Sequence, residues 1–141
     1  MVFANHKRFF EQYTPKFINN RNVDDLFRHL SLAAEGGLSV TYAPFDHIAE
    51  RAELVIVGIT PGRTQAINAS LAATQALRAG KDNAEASRLA KLTGSFSGAM
   101  RSNLVSMLDH IGLATALHVH TCADLFDPAL ERVHFTSALR Y

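Results

Sequence analysis

Cysteine is nearly absent: Cys122 is the only one in 141 residues. A single thiol excludes an internal disulfide, a cysteine-rich zinc site and a four-cysteine iron–sulfur site within one chain. It fits a reducing compartment. Net charge is also scarce. Fourteen Lys and Arg against thirteen Asp and Glu leave +1, so bulk charge attracts neither nucleic acid nor membrane, and any basic surface has to be local. No apolar run reaches the roughly 18–20 residues of a membrane span. Met1 to Arg8 lead into no apolar signal-peptide core. These absences predict a cytoplasmic protein. The sequence also has no internal repeat, no low-complexity linker and no Gly-x-Ser-x-Gly elbow, which leaves a Ser–His–Asp hydrolase unsupported.

With 48% hydrophobic and 19% charged residues, residues 1–141 suit a single domain with a real core. The most informative segment is 54–64, Leu-Val-Ile-Val-Gly-Ile-Thr-Pro-Gly-Arg-Thr. Four apolar residues, three of them identical in kind at the branched β-carbon, run into a turn made by Gly58, Pro61 and Gly62. Such a run predicts a strand apolar on both faces, central in a covered and mostly parallel sheet. Ligands of such sheets bind just past the carboxyl ends of the strands.

Around it the pattern predicts helices over 3–13, ending near Pro15, and over Val23 to Ala34, with Asn22 as N-cap and Gly36-Gly37 as the stop. Leu38 to Ala43 reads as a short strand or link, and Phe45 to Arg51 as a helical turn. Helices follow over Thr64 to Ala79 and from Asp82 to about Leu92, the latter opened by an Asp82/Glu85 capping box. Residues 99–111 form an amphipathic helix through Met100, Leu104, Met107, Leu108 and Ile111, closed by Gly112. Two short helical pieces within Leu113 to Phe126, a turn at Asp127-Pro128 and a strand at Val133 to Ala138 complete the order. Two strands make a thin sheet. Either 38–43 and His118–His120 join it, or a partner chain or a missing C-terminal segment does.

The turn fails as a phosphate loop. A Walker A motif needs G-x4-G-K-[ST]; here the second glycine comes one residue early, Arg63 replaces the lysine, and Pro61 removes a backbone N–H. A Rossmann G-x-G-x-x-G is absent. Weak anion binding at the following helix N-terminus and a turn serving geometry alone both remain open.

Gly58-Ile59-Thr60-Pro61-Gly62 resembles the first motif of the uracil-DNA glycosylase superfamily: Gly-Ile-Asn-Pro-Gly in its mismatch-specific branch, Gly-Glu-Ala-Pro-Gly in its iron–sulfur branch. Gly94-x-Phe96-x-Gly98 followed by Met107-Leu108-x-x-Ile111-Gly112 is similar to a second segment of that latter branch. Val133-His134-Phe135-Thr136-Ser137 lies where the family has a strand ending in Thr-Asn. The resemblance covers residues 54–141. It implies a three-layer αβα fold with a mostly parallel central sheet, incomplete at the C-terminal side, and hydrolysis of the N-glycosidic bond of a damaged or deaminated base in DNA. A flipped base needs a tight pocket, an aromatic ring to stack on and a held water. The resemblance assigns the water to Thr60, the stacking ring to Phe96, the base edge to Ser137, and the pocket wall to Gly58, Ile59, Pro61 and Gly62. It implies DNA or a free base or nucleotide as partner, with no cofactor and no metal.

The departures are specific. Active branches carry Asp or Asn where this chain has Thr60, and a hydroxyl is a far poorer general base than a carboxylate. Ser137 stands where the family's base-reading Asn would be and cannot reproduce an amide's paired donor and acceptor. The C-terminal Pro-Ser loop and the iron–sulfur cysteines have no counterpart, so the domain reads as C-terminally truncated. A catalytically degenerate base- or nucleic-acid-binding module of the same fold is the alternative. Arg63, Arg78, Lys81, Arg88 and Lys91 form either a solvated helical face or a basic rim. His110, His118, His120 and His134 fall at no recognised ligand spacing. Asp46 and His47 read as a turn rather than an acid–base pair.

Overall fold

The computed structural model describes residues 2–12, 23–127 and 131–139. The expectations that fell on Tyr13, Pro15, Asn22 and Pro128 lie outside these. The elements are helices α1 (Val2–Gln12) and α2 (Val23–His29), strands β1 (Ser31–Glu35), β2 (Leu38–Thr41) and β3 (Leu54–Gly58), helices α3 (Arg63–Arg78), α4 (Asn83–Gly94), α5 (Ala99–His110) and α6 (Leu113–Ala116), a 3-10 turn at Cys122–Phe126, and strand β4 (Val133–Ser137). The protein is a mixed α/β chain, as expected.

The sheet differs from expectation. In place of a mostly parallel central sheet, the described residues form two separate pairs: β1 with β2 antiparallel, and β3 with β4 parallel. The predicted helix over Val23 to Ala34 ends at His29, and Ser31–Glu35 turns back on Leu38–Thr41. Gly36 and Gly37 both take positive φ (56° and 83°), so they act as a two-residue hairpin turn instead of a helix stop. Residues 45–51 form no helix, and His118–His120 form no strand; His118 sits at φ 53° in a turn.

In β3 and β4 the register Leu54↔Val133 through Gly58↔Ser137 puts Leu54, Ile56, Val133 and Phe135 on one face. That face packs with Leu92, Cys122, Leu125, Val105, Leu108 and Phe126. The other face was expected to be covered, but Val55 and Val57 are 55% and 61% exposed. The strand is therefore half-buried. On that face the His134 Nδ1 accepts from the Ala49 N–H at 3.3 Å. At the start of the pair, Arg132 donates to Glu53 through two bonds of 2.8 and 2.7 Å, beside the backbone bond from the Glu53 N–H to the Arg132 carbonyl at 2.9 Å.

A second core joins α1, α2, α3 and α4 through Phe3, Phe10, Leu26, a bed of alanines, and Leu30 and Tyr42, which flank the β1–β2 hairpin. Ala86, Ala90 and Gly94 recur every fourth residue along α4, a stripe of small side chains that brings it close to α3. The buried hydroxyls of Ser70 and Thr74 bond back to the carbonyls of Ala66 and Ser70 at 2.8 and 2.9 Å, so they do not obstruct this packing. Asp82 caps α4 by accepting from Glu85 N–H at 2.8 Å. The reciprocal half of the expected capping box is not made, because the Glu85 side chain pairs with Arg88 at 2.7 Å. Helix α5 forms as expected, but Met100, Met107 and the following Ile111 are exposed, and its packing contacts come from Val105 and Leu108.

Cys122 is fully buried, and its backbone N–H donates to Asp109 at 2.7 Å. Burial, with Asp109 beside it, pushes the thiol up from 9.0 to about 11. A group raised on folding contributes stability below its unfolded value and loses it as pH rises through the folded one. Urea midpoints measured from pH 8 to pH 11 are expected to fall more steeply for the wild type than for Cys122→Ala. Parallel declines would contradict this burial.

Candidate functional site

The strand ends Gly58 and Ser137 lie side by side in the parallel register. The chain leaves β3 through Ile59, Thr60 and Pro61 and enters α3 at Gly62, an N-cap with no side-chain bond. The turn between α4 and α5 approaches from the other side. Together they enclose a cleft of about 330 Å³, at the lower end of the roughly 300–1,000 Å³ typical of small-molecule sites. All seven residues singled out from sequence line it: Gly58, Ile59, Thr60, Pro61, Gly62, Phe96 and Ser137. Phe45, Gln65, Ser95, Met100, Phe135 and Thr136 complete the wall.

Three aromatic rings line the cleft, Phe45, Phe96 and Phe135, and Phe126 backs the last of them. Phe96 meets Phe135 edge-on (5.8 Å, 60°), and Phe135 stacks on Phe126 (4.6 Å, 19°). Gly58 leaves the space open. A β-carbon there would come within 3.6 Å of Ser137 Oγ and 3.8 Å of the Phe96 ring. Phe135 was missed as a site residue, although strand alternation puts it on the same face as Ser137. Phe45, Gln65 and Met100 come from elements whose approach no local pattern encodes.

Phe96 has φ 53°. A bulky residue in that region is strained by about 1–3 kcal/mol and persists only where its surroundings hold it. Arg101 supplies the hold. Its guanidinium donates to the carbonyls of Leu92, Thr93 and Ser95 at 2.7–2.8 Å and lies 4.4 Å over the Phe126 ring. Burial pulls the Arg101 guanidinium below its ordinary value. Asn68 adds a 3.0 Å bond to Ser97 Oγ. Replacing Phe96 by Gly removes both ring and strain, whereas Ala removes the ring alone. Phe96→Gly is expected to be more stable than Phe96→Ala by about 1 kcal/mol in urea unfolding. Equal stabilities would mean the turn is unstrained.

Among the described residues, no Asp, Glu, His, Lys or Arg side chain lines this cleft. Thr60 is exposed at its rim and carries the hydroxyl that can hold a water there. Ser137 is half-buried at the floor. The five cations considered as a rim do not gather around the cleft. Arg63 pairs with Asp24 at 2.7 Å and lies over Phe27, Arg88 pairs with Glu85, and Lys91 is buried and donates to the His47 carbonyl. Asp46 and His47 take separate partners: Asp46 accepts from the Tyr42 hydroxyl, and His47 bonds Glu131 at 2.8 Å. Among the described residues no group of three or more His, Cys, Asp or Glu is placed to hold a metal ion. No described helix is long and apolar enough to cross a membrane.

No protein-family model matches the chain, and no solved structure matches it. The Uncharacterized protein YoxB of Bacillus subtilis (strain 168) is 37% identical over 120 residues, 84% of this chain and 46% of YoxB. The chain thus spans less than half the length of that relative, whose name states no activity.

Proposed function

We propose that this chain is a uracil-DNA glycosylase-like protein whose cleft at the carboxyl ends of β3 and β4 takes a damaged or deaminated base of DNA. The observation that carries the reading is convergence. Seven residues chosen from three separated motifs share one cleft, with the Phe96 and Phe135 rings in its wall. A cleft whose described lining carries no charged side chain suits a neutral planar ring, which gains stacking and apolar burial. In this reading Thr60 holds a water near the sugar, Phe96 stacks on the base and Ser137 meets its edge. DNA as partner and a cytoplasmic setting belong to the same proposal.

One observation favours a second reading, a base-binding module without hydrolysis. Among the described residues the cleft lining offers no carboxylate or imidazole to activate the water, and general-base assistance is worth about 10²–10⁴-fold.

Two measurements separate the readings. Gel assays on oligonucleotides containing uracil, hypoxanthine or mismatches test cleavage. Titration of the same oligonucleotides against wild type and Phe96→Ala tests binding. Cleavage lost in Thr60→Ala supports the enzyme. Binding without cleavage, weakened by Phe96→Ala, supports the module. Binding indifferent to both substitutions would refute the pocket.

A further inference from the structure

We infer that Gln65 is the specificity-determining side chain of the cleft, reading an edge on which a ring N–H lies beside a ring carbonyl. This rests on the base-binding reading above. The other polar side chains of the lining, Thr60, Ser95, Thr136 and Ser137, are hydroxyls. Unlike a hydroxyl, a carboxamide presents a donor and an acceptor fixed side by side in one plane, and among the described residues Gln65 is the only one in the lining.

Its hydrogen bonding is unfinished. Nε2 donates to Met100 Sδ at 3.5 Å, a thioether being a weak acceptor. Its side-chain carbonyl has no hydrogen-bond partner among the described residues. Gln65 is the third residue of α3, where a glutamine commonly reaches back to the N-cap N–H. Here it turns to Met100, itself 53% exposed and free to move aside. The Gln65 backbone, by contrast, is set by tight packing: its carbonyl lies 2.9 Å from where a β-carbon on Gly94 would sit. A fixed backbone with an under-used amide suits a side chain that completes its bonds on a ligand. Oε1 would accept the ring N–H while Nε2 donates to the neighbouring carbonyl.

The test compares 1-methyluracil with 1,3-dimethyluracil, which share ring and carbonyls and differ in the N3–H donor. Affinities come from titration of the whole 141-residue chain. Wild type is expected to prefer 1-methyluracil by about tenfold, since a ring without the donor leaves the amide carbonyl unpaired. In Gln65→Leu the preference is expected to fall to about twofold or less, with dimethyluracil binding nearly unchanged. Gln65→Glu, which keeps the shape and loses the donor, is expected to weaken 1-methyluracil binding as well and covers the case in which the leucine variant folds poorly. A preference unchanged in both variants overturns the inference. If both compounds bind and Phe96→Ala weakens both, the base-binding reading stands even though Gln65 does not discriminate. If wild type binds neither, that reading and this inference fail together.

Discussion

Gly94→Ala is expected to destabilise the protein by about 3 kcal/mol, at the upper end of the usual range for overpacking. A β-carbon at Gly94 would lie 2.7 Å from Ala69 Cβ, 2.9 Å from the Gln65 carbonyl oxygen and 2.9 Å from Phe45 Cζ. Two of those three contacts involve the rigid body of α3, so relief requires α3 and α4 to separate. Gln65 and Phe45 are also walls of the cleft, so the damage reaches the site. Urea unfolding should show the loss of stability, and ring-compound titration a loss of affinity in whatever fraction remains folded. A loss under about 1 kcal/mol with wild-type affinity would mean that the helix contact is looser than the alanine stripe implies.

Phe135→Ala is expected to cost about 3–5 kcal/mol, the usual range for deleting a buried phenyl ring. Phe135 is 3% exposed and lies between Phe126 and Phe96, so its removal empties a wall of the cleft and the core packed against β3 and β4 at once. Val57→Ala, on the opposite face of the same sheet, supplies the contrast. Its side chain is 61% exposed, and the expected change is within about 0.5 kcal/mol. A larger loss at Val57 would show that this face is covered in solution.

What could be read from sequence followed the range of the interactions involved. The strand at 54–58, the helix after Gly62 and the Asp82 cap rest on short-range preferences, and each formed near its expected place. The helix expected through Ala34 did not, because Ser-Leu-Ala-Ala suits either structure and the Gly36-Gly37 turn offered it a partner strand. The apolar run Leu-Val-Ile-Val implied two covered faces, but composition cannot tell a central strand from one with Val55 and Val57 in water. The cleft showed the same division. Glycines and Phe96 stood out as motif residues, whereas Gln65 looked like any polar residue of a surface helix. Its role depends on the approach of α4 and α5, which is long-range. Arg101 was hidden for a different reason: its three carbonyl partners, Leu92, Thr93 and Ser95, are near in sequence, but they are backbone groups that no residue pattern marks.

The parallel pairing of β3 with β4 also has a kinetic side. Leu54 meets Val133, so closing this pair brings together positions about 80 residues apart, at an entropic cost of order 4 kcal/mol for a flexible chain. Contacts of that separation form slowly. Helices α3 to α6 lie within the loop and can condense first, shortening it. Gly58 and Ser137 then come together last. Binding competence should therefore return in refolding no earlier than the final phase, behind the recovery of helical circular dichroism.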